Sequence, residues 1–293
     1  MTEPIGLAPA PPEGATALPP GTYDGEAVFV TGAGTGLGKA IAAEFARLGA
    51  SIVIASRKPE HLEAGREEME RLGAPVLTVP CDIRDADAIA AAFDAATDEF
   101  GLPRVLVNNA AANFPVPAED TSPNAWRTVV DITLNGTFLC CREFGRRHLA
   151  AGSRASIVNV GASYAWTGGP GFAHSAAAKA GVKNLTETLA VEWGPYGIQV
   201  NCLVPGLMPH EDMTRDIRGN LGQLDDKDDR QPAMRVGRPR ELGWAATFLA
   251  SPYAAFISGH TLVVDGANWQ RRTLTNAPVQ TVRDQMGRGP FEG

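Results

Sequence analysis

No apolar run in the 293-residue chain is long enough to span a bilayer, so membrane insertion is not expected. The amino terminus lacks an apolar core behind cationic residues, so no secretory leader is expected there. Basic residues are outnumbered, 26 Lys and Arg against 33 Asp and Glu, for a formal net charge of -7. That balance argues against nucleic acid as the main partner. There are only four cysteines, Cys81, Cys140, Cys141 and Cys202. They fall on predicted strands and helices without metal-ligand spacing, which points to reduced thiols of a cytoplasmic protein and away from a metal centre or disulfide scaffold. No internal repeat is evident. What is present is ordinary for a globular chain: 44% hydrophobic residues to build a core and 20% charged residues to cover it.

Six or seven short apolar runs alternate with helical patterns, which predicts an α/β fold, a doubly wound parallel sheet of Rossmann type in a single domain. Residues 1–22, rich in Pro, Ala and Gly, are expected to form a flexible arm. Residues 23–268 form the domain, and residues 269–293 a tail with no strong pattern. The domain opens on an apolar run, Glu26–Val30, which leads directly into Thr31-Gly32-Ala33-Gly34-Thr35-Gly36-Leu37-Gly38 and a helix that Gly49 stops. A glycine-rich turn between a strand and a helix amino terminus lets backbone amides approach a pyrophosphate, helped by the helix dipole. The second strand ends in Ser56-Arg57-Lys58, with no Asp or Glu from Ser51 to Lys58. Cations there suit a 2′-phosphate, whereas NAD would want an acid for its ribose hydroxyl, so the cofactor is expected to be NADP. A long helix is expected over 122–150, capped by Ser122-Pro123. The polar stretch from Leu207 to about Gln231 reads as a solvated loop or a mobile lid.

The chemistry centres on residues 159–179. A buried strand, Ser156–Val160, is followed by a small-residue turn (Gly161, Ala162, Ser163), Tyr164, a Gly/Pro loop, and a helix with Ser175 and Lys179 on one face. A phenol, a hydroxyl and an ammonium beyond the carboxyl end of a parallel strand can handle a proton. His174 is a rival general acid, though a histidine at a helix start often has a structural role.

The glycine spacing Gly32-x3-Gly36-x-Gly38 is similar to that of the short-chain dehydrogenase/reductases. In most of that family the active tyrosine lies four residues before the lysine, where this chain has Ser175. The family's serine falls on Ala162 and its helix asparagine on Thr133, so only Lys179 stands. One reading is an inactive, nucleotide-binding member. The set Asn113, Tyr164, Ser175 and Lys179 instead resembles the 2,4-dienoyl-CoA reductases of the family, whose tyrosine occupies the displaced position. Ala111 and Ala112 depart from the glycines usual in the family, and the 207–231 loop leaves the acyl group open. The surroundings of His174 and Val182–Thr186 are also similar to trans-2-enoyl-CoA reductases, which lack that tyrosine.

This resemblance implies further expectations. The cofactor would be held by Thr31, Gly32, Gly34, Thr35, Gly36, Leu37, Gly38, Ser56, Arg57 and Lys58. An adenine contact falls at Asp82 and Ile83, and contacts near the nicotinamide fall at Asn109, Ala110, Lys179, Pro205 and Gly206. Asn113, Phe114, Tyr164 and Ser175 would meet an acyl-CoA substrate. Hydride addition to a conjugated thioester pushes charge onto its oxygen, where the Tyr164 phenol and Asn113 amide can stabilise it. Lys179 would hold the ribose. A homotetramer is expected, paired through the long helices. A ketone or alcohol oxidoreductase acting through Tyr164 is the alternative reading.

Overall fold

The protein is described by a computed structural model covering residues 6–211, 213, 231–270 and 281–288. Seven parallel strands form one sheet: β1 (Ala27–Thr31), β2 (Ser51–Ser56), β3 (Val76–Pro80), β4 (Val105–Asn108), β5 (Ala155–Val160), β6 (Ile198–Pro205) and β7 (Thr261–Val264). Their order is β3-β2-β1-β4-β5-β6-β7. Among the described residues the α-helices are α1 (Gly36–Arg47), α2 (Pro59–Arg71), α3 (Ala86–Phe100), α4 (Pro123–Val130), α5 (Gly136–Ala151), α6 (Tyr164–Thr167), α7 (Ala173–Trp193), α8 (Pro239–Ala250) and α9 (Val282–Gln285). Among the described residues no helix is long and apolar enough to cross a membrane.

The continuous apolar runs of the inner strands follow from burial on both faces. Val28 and Val30 pack with Ile52 and Ile54 against Ile41, Phe45, Leu242 and Leu249 of α1 and α8. Phe29, between them in sequence, points the other way, to Val53, Phe93, Phe144 and Leu189 of the opposite layer. The chain leaves β1 in one direction towards β2 and β3, then returns to β4 on its other side. Loops at the carboxyl ends of β1 and β4 therefore diverge and leave a crevice, the place where such sheets bind ligands.

Three features differ from the sequence expectation. The helix expected over 122–150 starts as anticipated, with Ser122 Oγ accepting from Ala125 N at 3.1 Å and Pro123 in the first turn. It is then interrupted by a π-helical stretch, Asp131–Asn135. Tyr164, between the small-residue turn and the Gly/Pro loop, opens a one-turn helix that the sequence pattern does not assign. The stretch expected as a flexible arm holds no helix or strand over residues 6–22, yet it is fastened to the body. Arg235 Nε donates to Ala8 O at 2.8 Å, Arg240 Nη2 to Pro11 O at 2.7 Å and Trp244 Nε1 to Ala15 O at 3.0 Å. Proline-rich backbone has carbonyls without matching N–H groups, and donors on and before α8 take them up. The lid expected over 207–231 lies mostly outside the described residues.

Candidate active site

The glycine turn is held by its neighbours. Thr31 Oγ1 accepts from the backbone N–H groups of Asn109 and Ala110, each at 3.1 Å, and Asn109 Nδ2 donates to Thr31 O and Gly32 O. Gly32 and Gly36 have φ of +70° and +53°, in the left-handed region that suits glycine. A Cβ on Gly34 would overlap the carbonyl of His61, and one on Gly38 would overlap Gly32 O and the Asn109 amide. Thr35, ahead of α1, makes no side-chain cap, so the amino end of the helix suits an anion.

A cleft of about 450 Å³ opens over this turn. Of the expected cofactor residues it is lined by Gly32, Thr35, Gly36, Leu37, Ser56, Arg57, Lys58, Asp82, Ile83, Asn109 and Ala110. Thr31, Gly34 and Gly38 lie behind it and shape the turn. Pro205 and Gly206 lie at the end of β6, where Gly206 borders a separate hollow with Met208 and Asp265. The cleft also takes in His61 and His210, which the sequence reading missed. His61 follows Pro59 on α2 and could have been found from its closeness to the basic end of β2. His210, whose ring edge faces Gly36, carried no local signal. At the far end Asp82 is bound by Arg84 Nη2 at 2.5 Å and lies 3.8 Å from Arg57. The Arg84 hydrogen bonds hold its carboxyl below the usual range, against the opposing effect of burial.

The candidate reacting groups meet beyond β4 and β5. Their carboxyl ends are locked together by a buried polar chain: Asn108 Nδ2 donates to Asn159 Oδ1 and Asn159 Nδ2 to Thr186 Oγ1, both at 2.9 Å. Tyr164 Oη is 3.0 Å from Ser175 Oγ, and Asn113 Nδ2 donates to the same phenol oxygen at 3.4 Å. Tyr164 stacks over Phe172 with ring centroids 6.1 Å apart. Burial pushes the phenol's pKa up, with the Ser175 hydrogen bond acting against it. Tyr164 is therefore a neutral donor throughout the physiological range.

One turn along α7, Lys179 is buried and its ammonium donates to Val160 O. Burial pulls its pKa down to about 8, opposed by Cys202 nearby. His174 is fully buried, and its Nδ1 accepts from Ser175 N at 2.7 Å. Its Nε2 therefore carries the proton, and its ring edge packs on Phe114, 4.6 Å between centroids. Burial lowers its pKa, which suits a neutral positioning group more than a proton donor. Phe114 is 37% exposed, at the mouth of the site.

The π-helical stretch contributes here. It turns Thr133 inward, fully buried, so that Thr133 Oγ1 accepts from Ala112 N at 3.2 Å and braces the loop carrying Asn113. A π-turn at a functional site is a recurring device. A polar residue on an otherwise apolar helix face was the available sequence signal.

Residues 32–267 match the family model described as enoyl-(acyl carrier protein) reductase. The chain belongs to the short-chain dehydrogenase/reductase family. With that membership comes a nicotinamide cofactor, which the glycine turn and cleft fit. Among relatives in this family, a probable 2,4-dienoyl-CoA reductase ((2E)-enoyl-CoA-producing) of Bacillus subtilis is 38% identical over 83% of this chain and 96% of its own. A peroxisomal 2,4-dienoyl-CoA reductase of Pongo abelii is 40% identical, covering 82% of each chain. The solved structure of a short-chain dehydrogenase from Bacillus anthracis superposes with a TM-score of 0.76 at 40% identity, over 87% of this chain and 99% of that one. Most short-chain dehydrogenase/reductases place their tyrosine where Ser175 stands. Here Tyr164, on α6, brings its hydroxyl within 3.0 Å of Ser175 Oγ.

Proposed function

We propose that the protein reduces a conjugated double bond of an acyl-CoA, as a 2,4-dienoyl-CoA reductase using NADPH. The observation that carries this reading is the convergence of Asn113 and Ser175 on the Tyr164 hydroxyl. A conjugated thioester gains negative charge on its oxygen as it is reduced. Two neutral donors on one oxygen answer that demand, and each is worth about 3–4 kcal/mol when the charge develops away from water. When bound, the nicotinamide supplies the hydride. Tyr164 and Asn113 hold the thioester oxygen, Ser175 positions the phenol, and Lys179 offers its ammonium to the ribose. The names of the relatives, two of them 2,4-dienoyl-CoA reductases, support the substrate class.

The choice of NADPH rests on Arg57 and Lys58, which border the cleft at the end of β2 where no carboxylate of that strand competes. Asp82 is already engaged by Arg84, which favours Arg57 turning to a 2′-phosphate. A homotetramer is supported by exposed apolar side chains, among them Trp126 (41%), Phe138 (44%) and Val191 (78%) on α4, α5 and α7, and Phe256 near the edge strand β7. Four free, buried cysteines favour a reducing compartment such as the cytoplasm.

A second reading, reduction of a ketone, is favoured by the 3.0 Å Tyr164–Ser175 pair, since two hydroxyls suffice to polarise a carbonyl. NADPH oxidation measured with 2,4-hexadienoyl-CoA, with a 2-enoyl-CoA and with a panel of ketones separates these readings. The dienoyl thioester is expected to be the best substrate by kcat/KM. Turnover of ketones without turnover of the thioester would remove the main reading.

A further inference from the structure

Of the two partners of the Tyr164 hydroxyl, Asn113 is exposed and Ser175 is buried. The Asn113 amide reaches the phenol at 3.4 Å, against 3.0 Å for Ser175 Oγ. Asn113 is held chiefly through its neighbours in the chain. Ala112 N donates to Thr133 Oγ1 at 3.2 Å, and the Phe114 ring meets the His174 imidazole edge to face, 4.6 Å between centroids at 64°. A little further on, the same loop joins the chain entering α7, where Val116 N donates to Gly171 O at 2.8 Å.

His174 holds the other partner as well. It is the second residue of α7, and Phe172, ahead of that helix, supplies no side-chain cap. The first amides of a helix have no partner within it. Ser175 N, the third of them, donates to His174 Nδ1 at 2.7 Å, and both side chains are buried. Burial lowers the His174 pKa, so the ring is neutral and Nδ1 keeps its lone pair for that amide. The proton then sits on Nε2, which is buried with no oxygen or nitrogen partner among the described residues. The ring against the imidazole is that of Phe114, and an N–H directed at an aromatic face is a weak hydrogen bond. One imidazole thus touches both segments that deliver a group to the Tyr164 hydroxyl. An apolar side chain of equal size would fill the space but leave the Ser175 amide without its acceptor.

We propose that His174 is a positioning residue that sets the separation between Asn113 and Ser175, and so brings both onto Tyr164; this deepens the acyl-CoA reading above and rests on it. Nδ1 holds Ser175 through its backbone, and Nε2 holds Asn113 through Phe114. The histidine itself passes no proton to the substrate.

The two nitrogens can be tested separately. His174→Asn keeps an acceptor at the Nδ1 position and gives up Phe114, whereas His174→Gln keeps a donor at the Nε2 position and gives up the Ser175 amide. Turnover of 2,4-hexadienoyl-CoA is measured per NADPH-binding site, which discounts unfolded protein. Each variant is expected to lower kcat about tenfold, with KM for the thioester and NADPH affinity within about twofold of native. Double variants then show which donor each nitrogen serves. Added to Asn113→Ala, His174→Asn should cost less than about twofold more, and added to Ser175→Ala it should keep its full effect. His174→Gln should show the reverse dependence. Full losses in every background, native kcat in both single variants, or loss of NADPH binding in both, overturn the positioning role and leave the reaction standing. Native protein inert towards the thioester defeats the reaction itself, and this role with it.

Discussion

At the scale of single residues, the site depends on which groups carry charge at working pH. Tyr164 stays protonated because burial raises its pKa, so the role proposed for it is donation. Truncating either donor on the thioester oxygen, by Tyr164→Phe or Asn113→Ala, should lower turnover of a dienoyl-CoA by about a hundredfold or more, with NADPH affinity unchanged. A Tyr164→Phe enzyme with native turnover would remove the tyrosine from the chemistry. Lys179 is the opposite case. Its pKa is lowered to about 8, so the ammonium is complete below that pH and lost above it. The pH profile of NADPH binding should therefore fall as pH rises through about 8, far below the 10.4 of a free lysine. Lys179→Arg, charged at every pH, should lose that limb; a profile flat to pH 10 in the native enzyme would contradict it. Arg57 is the proposed determinant of the cofactor. NADPH should bind at least about tenfold tighter than NADH, worth about 1.4 kcal/mol. Arg57→Ala should remove most of that margin in paired titrations.

At the scale of elements, the π-helical stretch Asp131–Asn135 is what connects helix packing to the site. Thr133→Val keeps the shape but leaves the Ala112 N–H without its acceptor, a loss of about 1–3 kcal/mol in denaturant unfolding. Turnover should fall with it, because Asn113 is the next residue, while NADPH affinity holds. Equal stability of wild type and variant would show that the brace is idle. This element also marks the limit of what the sequence could reveal. The inner strands were legible because burial on both faces writes an unbroken apolar run, as in Val28-Phe29-Val30. The glycine turn was legible because close backbone approach restricts residue type, and the Asn113/Tyr164/Ser175/Lys179 set was picked out by its resemblance to a known family; the structure brings Asn113, Tyr164 and Ser175 within hydrogen-bond reach. The helix break was not, since Trp126, Val129, Val130, Leu134 and Phe138 keep an acceptable apolar stripe through it. The turn Tyr164–Thr167 is too short to show a helical period. The tail's placement depends on ion pairs to Asp120 across more than 160 residues of sequence, and no local pattern encodes such a distance.

At the scale of the whole molecule, the exposed apolar side chains include Val191 on α7 and Phe256 near β7, the proposed seats of two kinds of pairing. Val191→Glu on α7 and Phe256→Asp near β7 should each reduce a tetramer to a dimer, and together yield monomer, as read by light scattering at micromolar concentration. Native protein that is monomeric there would count against the assembly. The amino-terminal arm has a different consequence. Its attachment at Ala8, Pro11 and Ala15 runs through backbone carbonyls, and the side chains that grip it belong to the body. An anchor of this kind carries little information in its own letters. Reordering the Pro and Ala residues of 8–12 at constant length, with Glu13 (3.6 Å from Arg47) and Gly14 (φ +90°) kept in place, should leave unfolding free energy within about 0.5 kcal/mol. Among related chains, residues 8–12 are then free to drift in sequence, while Arg235 and Arg240, which hold them, and Glu13 and Leu18, whose side chains meet the body, are not.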